Sequence, residues 1–312
     1  MLCVEVGWPM DDKVAAVNRM QEYIAAHLDG EITLEALGAA AGYSKYYAVR
    51  AFGELTGRTP FAYIRALRLT RAAQALRDGG GGLVRSTSPV IDAALDSGFD
   101  SHDGFTRAFM REFGVNPQEY ARKTPAVRYF VPYPIAAYYT LKEGAEPMPK
   151  EKVPRTVTVT TVERPARKLI FLRTGGRGYF KDCEEVGCDW EGFYNSIPEK
   201  FDTAAGCHLP RFLVKPGTSG SAFCVEVPLD YNKPIPEGYE SAELPPCTYL
   251  YFTGMPYDDP NDFCVAIGIV NEAVGAYPFE RFGWKRSENG PDLGMGADAE
   301  TGARFAMPVE RV

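Results

Sequence analysis

Basic side chains that can contact phosphate groups are concentrated in one part of the chain. Between residues 42 and 85 there are eight basic residues and two acidic ones, a net charge of +6, although the whole 312-residue chain carries −7. The basic residues are Lys45, Arg50, Arg58, Arg65, Arg68, Arg71, Arg77 and Arg85. Such a cluster is typical of a surface that binds nucleic-acid phosphates, and a merely solvated helix face is the less favoured alternative.

Part of this basic stretch is repeated later in the chain. At a shift of 57 residues, seven residues of the first copy fall on identical residues of the second. Ser44, Arg50, Ala51, Phe52, Gly57, Pro60 and Tyr63 match Ser101, Arg107, Ala108, Phe109, Gly114, Pro117 and Tyr120. Agreement of this kind in one frame indicates two copies of one structural unit.

Each copy is predicted to form a helix, a tight turn and a second helix. In the first copy, Thr33 caps a helix over residues 34–41, and Gly42 ends it in a left-handed conformation. Ser44 then caps a second helix over residues 45–56. The helical spacing of its apolar residues predicts a buried face of Ala48, Ala51, Phe52 and Leu55. The opposite face carries Lys45, Tyr46, Val49 and Arg50.

The second copy follows the same pattern, with helices predicted over residues 90–97 and 102–113. Its buried face is predicted to be Phe105, Ala108, Phe109 and Phe113, and its outward face His102, Asp103, Thr106 and Arg107. A long helix over residues 61–77 joins the copies. The second helix of a helix-turn-helix enters the major groove of DNA, so two braced units could enter successive grooves about 34 Å apart.

These residues resemble the DNA-binding domain of the AraC/XylS family over about residues 13–123. The resemblance is carried by Gly42-Tyr-Ser-Lys-Tyr-Tyr-Ala-Val-Arg-Ala-Phe52 and Gly98-Phe-Asp-Ser101, and by Phe105-Thr-Arg-Ala-Phe109 and Phe113-Gly-Val-Asn-Pro117. The resemblance implies that DNA bases are read by Tyr46, Val49, Arg50, His102, Asp103, Gly104 and Arg107. Lys45 is a further candidate DNA-binding residue. Asp103 departs from the family pattern, and it would either accept from a cytosine amino group or repel phosphate. A glycine-rich loop over residues 78–88 could let the two units reorient.

The C-terminal half has a different composition. Helices are predicted over residues 189–201 and 262–277, and strands over 157–162, 168–174, 222–227, 249–252 and 304–309. Before these elements, a proline-rich stretch over residues 125–154 is expected to be a linker. This half resembles the GyrI-like effector-binding domain through Val225-Glu-Val-Pro-Leu-Asp-Tyr231, Glu243-Leu-Pro-Pro246 and Tyr249-Leu-Tyr-Phe-Thr-Gly254.

The second resemblance implies an α+β fold of two halves, each with a helix on an antiparallel sheet, and a ligand cleft between them. Such domains hold amphipathic, often cationic, molecules against aromatic walls beside a carboxylate. The candidate ligand residues are Trp190, Tyr194, Phe212, Phe223, Glu226, Tyr249, Tyr251 and Trp284. Ordinary core packing is the alternative for each aromatic residue. Glu280 and Asp292 are the other candidate carboxylates.

The cysteines are predicted to be reduced and mostly buried. Six of the seven lie in the C-terminal half, and Cys183, Cys188, Cys207 and His208 form the less favoured alternative of a zinc site. The chain has no apolar run long enough to span a membrane and begins without a secretory signal pattern, so a cytoplasmic protein is expected. We predict no metal, cofactor or catalytic residue.

The sequence therefore predicts an all-α double helix-turn-helix domain over residues 1–124, a linker over 125–154 and an α+β GyrI-like domain over 155–312. The expected function is sequence-specific regulation of transcription in response to a small amphipathic effector. Double-stranded DNA and the effector are the expected partners, with RNA polymerase as a further candidate. A C-terminal hydrolase, or a protein-binding module with an exposed apolar patch, is the alternative.

Overall fold

The computed structural model describes residues 10–78, 90, 99, 101–132, 135–142, 153–187 and 189–312. The chain divides into two compact units, Met1–Gly144 and Ala145–Val312. In its described residues the first unit is helical, whereas the second is built on an antiparallel sheet.

Seven helices are described in the first unit; four of them begin and end within one residue of their predicted bounds, and three were not predicted. They are α1 (Met10–Ala26), α2 (Leu34–Ala41), α3 (Lys45–Thr56), α4 (Pro60–Arg77), α5 (His102–Phe113), α6 (Pro117–Lys123) and α7 (Ile135–Lys142). Helix α4 begins at Pro60, a residue whose missing N–H costs nothing in the first helical turn. Of the predicted helix over residues 90–97 only Val90 is described, and the glycines at 79–82 lie outside the described residues.

One helix, α4, contributes to two hydrophobic clusters. Its N-terminal half gives Tyr63 and Ile64 to a cluster that contains Phe52 of α3. Its C-terminal half gives residues to a second cluster, around α5 and α6, made of Leu69, Ala72, Ala73, Leu76, Val90, Phe105, Ala108, Phe109, Tyr120, Val127 and Tyr129. The same helix therefore packs against both α3 and α5.

Part of the expected linker packs on the helical unit. The hydroxyl groups of Tyr129 and Tyr120 lie 2.7 Å apart in a buried hydrogen bond. The Phe130 N–H donates to Thr70 Oγ1 at 2.8 Å, and the Phe130 ring lies 4.6 Å below the Arg58 guanidinium. The prolines indicated a linker, but the aromatic residues between them bury apolar surface and so keep residues 127–130 on the core.

Within its described residues the second unit has nine strands, and all the pairings between them are antiparallel. They are β1 (Val157–Arg164), β2 (Arg167–Arg173), β3 (Ala205–His208), β4 (Ser221–Pro228), β5 (Glu240–Leu244), β6 (Cys247–Gly254), β7 (Trp284–Arg286), β8 (Asp292–Asp298) and β9 (Gly302–Arg311). Their order is β1-β6-β9-β8-β3-β4-β2-β5, with β7 paired to β9. The helices are α8 (Tyr179–Val186), α9 (Asp189–Ser196) and α10 (Phe263–Ala276).

All five predicted strands are present, and four strands and α8 were not predicted. Strand β8 shows why: Gly294 and Gly296 lower its β propensity, and its register with β9 shifts between Gly294 and Ala297. Helix α10 covers one face of the sheet, where Ile269 and Val270 join the cluster of Phe252 and Met307. The arrangement is an α+β fold.

Candidate nucleic-acid interface and candidate ligand sites

The two predicted recognition helices, α3 and α5, have matching ends. Ser44 Oγ accepts from the Tyr47 N–H at 3.4 Å, and Ser101 Oγ accepts from the Gly104 N–H at 3.2 Å. Both helices end at a glycine with a φ of +69°, Gly57 and Gly114. The serines satisfy amides that a helix start leaves unpaired, and only glycine adopts the positive φ without strain.

The outward face of α3 is cationic and carries two ion pairs. Tyr46 is 80% exposed, and Val49 is half-buried beside it. Lys45 Nζ lies 2.7 Å from Glu35, and Arg50 Nε lies 2.9 Å from Glu54. Hydrogen bonds from Lys13 and from Arg50 hold the pKa of Glu54 below its usual value. The exposed Arg50 guanidinium is therefore held by Glu54, which lies one helical turn later in α3.

The outward face of α5 is close to neutral. His102, Asp103 and Arg107 are exposed, and His102 Nδ1 lies 3.7 Å from the Asp103 carboxylate. Arg107 forms no hydrogen bond or ion pair with the described part of the chain. At Gly104 a Cβ atom would lie 2.9 Å from Ser101 Oγ, so this glycine leaves room for the N-cap.

Several of the basic residues that suggested a phosphate-binding surface hold the helical unit together instead. The Arg68 guanidinium donates to the carbonyls of Leu28 at 3.0 Å and of Gly30 at 2.5 Å. Arg71 pairs with Asp29 at 2.5 Å. Arg58 lies 3.8 Å from Glu112, and Arg77 lies 2.8 Å from Asp78. Arg85 lies outside the described residues. The net charge of residues 42–85 therefore overestimated the number of basic side chains that are available to contact phosphate groups of DNA.

The predicted ligand residues of the second unit fall into separate places. Trp190 stacks on Phe223, with ring centroids 3.9 Å apart, and Tyr194 donates a hydrogen bond to the Phe223 carbonyl at 2.9 Å. All three are buried, as core packing requires. Phe212 is 58% exposed, and Trp284 lies 3.8 Å below the Arg311 guanidinium. Tyr249 and Tyr251 form another group, around Glu226.

Glu226 is buried, and its charge is balanced within the protein. Its carboxylate accepts from Arg167 Nε at 2.6 Å and from the Tyr249 hydroxyl at 3.0 Å. Arg164 Nε lies 3.6 Å away. Arg167 is fully buried and also donates to the Pro245 carbonyl at 2.7 Å. Burial raises the pKa of Tyr249 well above its usual value, and the Glu226 charge raises it further. Breaking such a pair is costly, so this carboxylate is not a free counter-charge for a cationic ligand.

The other two candidate carboxylates are also poor counter-charges. Asp292 contacts Arg286, and Glu280 lies exposed in a short 3-10 helix. Arg167 itself was missed by sequence reasoning. It stands at the end of an apolar strand, where an arginine usually reaches solvent, and nothing in its neighbours indicated a buried partner.

A polar cavity of about 310 Å³ lies elsewhere in the second unit, at the ends of β2 and β4. It is lined by Arg173, Thr174, Gly175, Glu185, Gly217, Thr218, Ser219 and Ser221. None of the predicted ligand residues lines it. Its lining comes from segments far apart in sequence, which explains why no motif indicated it.

The described cysteines are free thiols. Cys183, Cys207, Cys224 and Cys247 are buried, Cys264 is half-buried, and Cys188 lies outside the described residues. Burial raises the pKa values of Cys247 and Cys264 to about 11, which keeps both protonated near neutral pH. No group of side chains suited to a metal ion occurs among the residues that the structure describes. In the same residues no helix is long and apolar enough to cross a membrane.

Comparisons with known proteins agree with the geometry of the first unit. A helix-turn-helix domain family matches residues 37–123. The transcriptional regulator Rob of Salmonella typhimurium is 37% identical over 113 residues, which are 36% of this chain and 37% of Rob. This chain therefore matches little more than a third of Rob's length. A solved structure of a probable AraC family transcriptional regulator from Rhodopseudomonas palustris is 33% identical, covering 35% of this chain and 95% of that one, with a TM-score of 0.31.

The regulatory protein SoxS of Salmonella typhimurium supplies the decisive match. It is 34% identical over 107 residues, which are 34% of this chain but 94% of SoxS. These relatives are named as regulators and not as enzymes. Because nearly the whole of SoxS is matched, and because the matched region carries two capped outward-facing helices, the chain belongs to the AraC family of helix-turn-helix, DNA-binding transcription regulators.

Proposed function

We propose that this regulator reads DNA sequence with the outward faces of α3 and α5, each placed in a major groove. The observation that carries the proposal is the position of the two repeated arginines. Arg50 and Arg107 are exposed, whereas the phenylalanine two residues after each, Phe52 or Phe109, is fully buried. The buried face fixes each helix on the core and leaves its arginine pointing outward.

The chemistry of each outward side chain suits a base edge. Arginine donates two hydrogen bonds to guanine O6 and N7, and we assign this role to the exposed Arg50 and Arg107. The exposed Tyr46 ring and the Val49 side chain can contact a thymine methyl group, while Lys45 reaches phosphate. On α5, we assign His102 and Gly104 to positions facing the groove and Asp103 to accepting from a cytosine amino group.

The second unit supplies the regulatory signal in this proposal by binding a small effector. A ligand that binds one state of the protein more tightly than another shifts the population towards that state, and DNA affinity follows. RNA polymerase is a further candidate partner. The aromatic residues proposed for the cleft, such as Trp190 and Phe223, are stacked on each other and would have to separate to admit a ligand. Since Arg167 neutralises Glu226, we do not retain a preference for cationic effectors.

The test is fluorescence anisotropy of the full chain with DNA from its own upstream region, over a series of salt concentrations. The double variant Arg50→Ala/Arg107→Ala should lose most of the preference for this DNA over shuffled DNA, because each arginine contributes about 1–3 kcal/mol of base discrimination. Arg155→Ala removes an exposed arginine of the second unit, where it pairs with Glu272, and is the matched control. Equal affinity of the unaltered protein for both DNAs would contradict the proposal.

A further inference from the structure

One edge strand of the second unit, β1, has a free outer edge. It stands first in the strand order and pairs with β6, so among the described residues its outer N–H and C=O groups meet no other strand. The side chains of residues 158–161 are all exposed. Because successive side chains of a strand point to opposite faces, the middle of β1 is open on both faces as well as at its edge.

Strand β1 has none of the features that usually keep an edge strand from pairing with another chain. Such strands carry charged side chains, a proline or a bulge. Residues 157–162, Val-Thr-Val-Thr-Thr-Val, include no charge and no proline, and their register with β6 is continuous. The strand at the other end of the order, β5, carries Glu240 and Glu243 within its five residues. The difference favours a strand partner at β1 rather than at β5.

A second copy of the chain can pair with β1 in only a few registers. Successive residues of a strand direct their backbone groups to opposite edges. An antiparallel pairing about a two-fold axis therefore joins odd-numbered residues to odd and even-numbered residues to even. Pro154 and Pro165 flank the strand, and neither can donate to a ladder. The two longest proline-free registers have Val159 or Thr160 on the axis, and they use residues 155–163 or 156–164.

Charge decides between these two registers. With Val159 on the axis, Arg155 lies opposite Glu163 of the second copy at both ends of the ladder, which is an attractive cross-strand pair formed twice. The other register places neither charge opposite one of opposite sign. Both side chains are accessible: Arg155 is 72% exposed in its ion pair with Glu272, and the exposed Glu163 accepts from the Thr248 hydroxyl at 3.0 Å. Exposed contacts of this kind are exchanged at little cost.

The side chain of Val159 suits a position on the axis. Val159 lies opposite Phe252 of β6, on the face of the sheet that α10 covers, and it is 36% exposed. A β-branched residue opposite its own copy adds apolar cross-strand packing and carries no charge to repel its partner.

We propose that β1 pairs antiparallel with β1 of a second copy of this chain, with Val159 on a two-fold axis and Arg155 opposite Glu163 of the other copy. The pairing uses the free edge of both copies, so association ends at a dimer. It adds about eight backbone hydrogen bonds over a small area, which predicts a dissociation constant of about micromolar size. DNA titrations at nanomolar protein concentration therefore measure the monomer, and Arg155→Ala remains a neutral control in them.

The test is sedimentation velocity of the full chain over protein concentrations from nanomolar to hundreds of micromolar. The unaltered chain should pass from monomer to dimer and stop there. Arg155→Glu and Glu163→Arg should each weaken dimerisation by about tenfold or more, because each creates two like-charge pairs across the ladder. The double variant Arg155→Glu/Glu163→Arg exchanges the charges and should restore the dimer. Arg211→Glu reverses a charge that is 92% exposed outside β1 and is the matched control.

A second variant tests the axis itself. Val159→Lys places two lysines opposite each other and should leave the chain monomeric at every concentration, with its preference for its own DNA unchanged. Thermal unfolding of each variant separates loss of the dimer from loss of folding, and the charge exchange decides alone if Val159→Lys is unfolded. A chain that stays monomeric, association that continues beyond the dimer, or a folded double variant that does not recover would each overturn the inference.

Discussion

Helices α3 and α5 share their length, their caps and most of their buried residues, and they differ in what they present to solvent. Each has 12 residues, a serine N-cap and a left-handed glycine at its end. Each buries a phenylalanine completely, Phe52 or Phe109. On the outward faces, however, α3 carries Lys45 and Arg50 with carboxylate partners. Helix α5 carries an acidic residue in its first turn, and its Arg107 has no carboxylate partner among the residues that the structure describes.

The difference separates the requirements of folding from those of recognition. Packing constrains the buried residues, so Ala51 and Phe52 recur as Ala108 and Phe109, although Ala48 is replaced by Phe105. Exposed side chains can differ at little cost in stability. The cationic face of α3 attracts DNA, and Glu54 restricts the positions of Arg50 before DNA is bound. Asp103 lowers the attraction at α5. We therefore expect α3 to contribute more of the DNA affinity.

The largest expected effect concerns the two cores that α4 joins. Phe52→Ala and Phe109→Ala should each lower the free energy of unfolding by about 3–5 kcal/mol, because each removes a fully buried ring and leaves a cavity. This free energy can be measured by urea denaturation monitored by circular dichroism, and independently by differential scanning calorimetry. Met110→Ala, at an exposed position of α5, is the control and should change little. If each substitution lowers the stability of a different unfolding transition of the first unit, the two copies do not unfold as one cooperative unit.

The two arginines test the comparison directly. Arg50→Ala should weaken specific DNA binding towards the upper end of about 1–3 kcal/mol, and Arg107→Ala towards the lower end. Anisotropy titrations with Arg155→Ala as control give both values. A larger loss for Arg107→Ala would reverse the assigned order of the helices. Two equal losses would mean that the pairing of Arg50 with Glu54 confers no advantage.

The N-caps should behave alike where the outward faces differ. Ser44→Ala and Ser101→Ala should each lower the free energy of unfolding by about 1 kcal/mol, because each leaves a helix-start amide without its acceptor. Ser44→Thr and Ser101→Thr keep the acceptor oxygen and are the matched controls. Thermal denaturation at neutral pH detects changes of this size. If only one of the two alanine substitutions lowers the free energy of unfolding, the two caps contribute unequally to stability although their sequences match.

The smallest expected effect is a gain. Asp103→Asn should strengthen DNA binding by about 0.3–1 kcal/mol and steepen its salt dependence, because a carboxylate near phosphate is removed. Asp230→Asn removes an exposed acid of the second unit and is the control. Weaker binding, with relaxed preference at a single base pair, would instead support Asp103 as an acceptor from cytosine.

The first unit could be predicted closely because its signals are local. A cap and the amide that it satisfies are three residues apart in both copies, and a helical face repeats within four residues, so α2, α3 and α5 have the predicted bounds. The second unit was harder. Five of its strands were predicted from their alternation, but β3 has only four residues, and β8 contains two glycines and a bulge.

By itself the sequence determined the repeat, the capped helices, the family and the division between a helical and a sheet-containing part. Tertiary structure alone decided which charges are available. Arg68 binds carbonyls about forty residues earlier in the chain, and Arg167 neutralises a glutamate 59 residues later. Arg173 and Ser221, which both line the polar cavity, come together only when the ends of β2 and β4 meet. The reason is physical: helix caps depend on neighbours along the chain, whereas the partner of a charge is whatever the fold brings within hydrogen-bond distance.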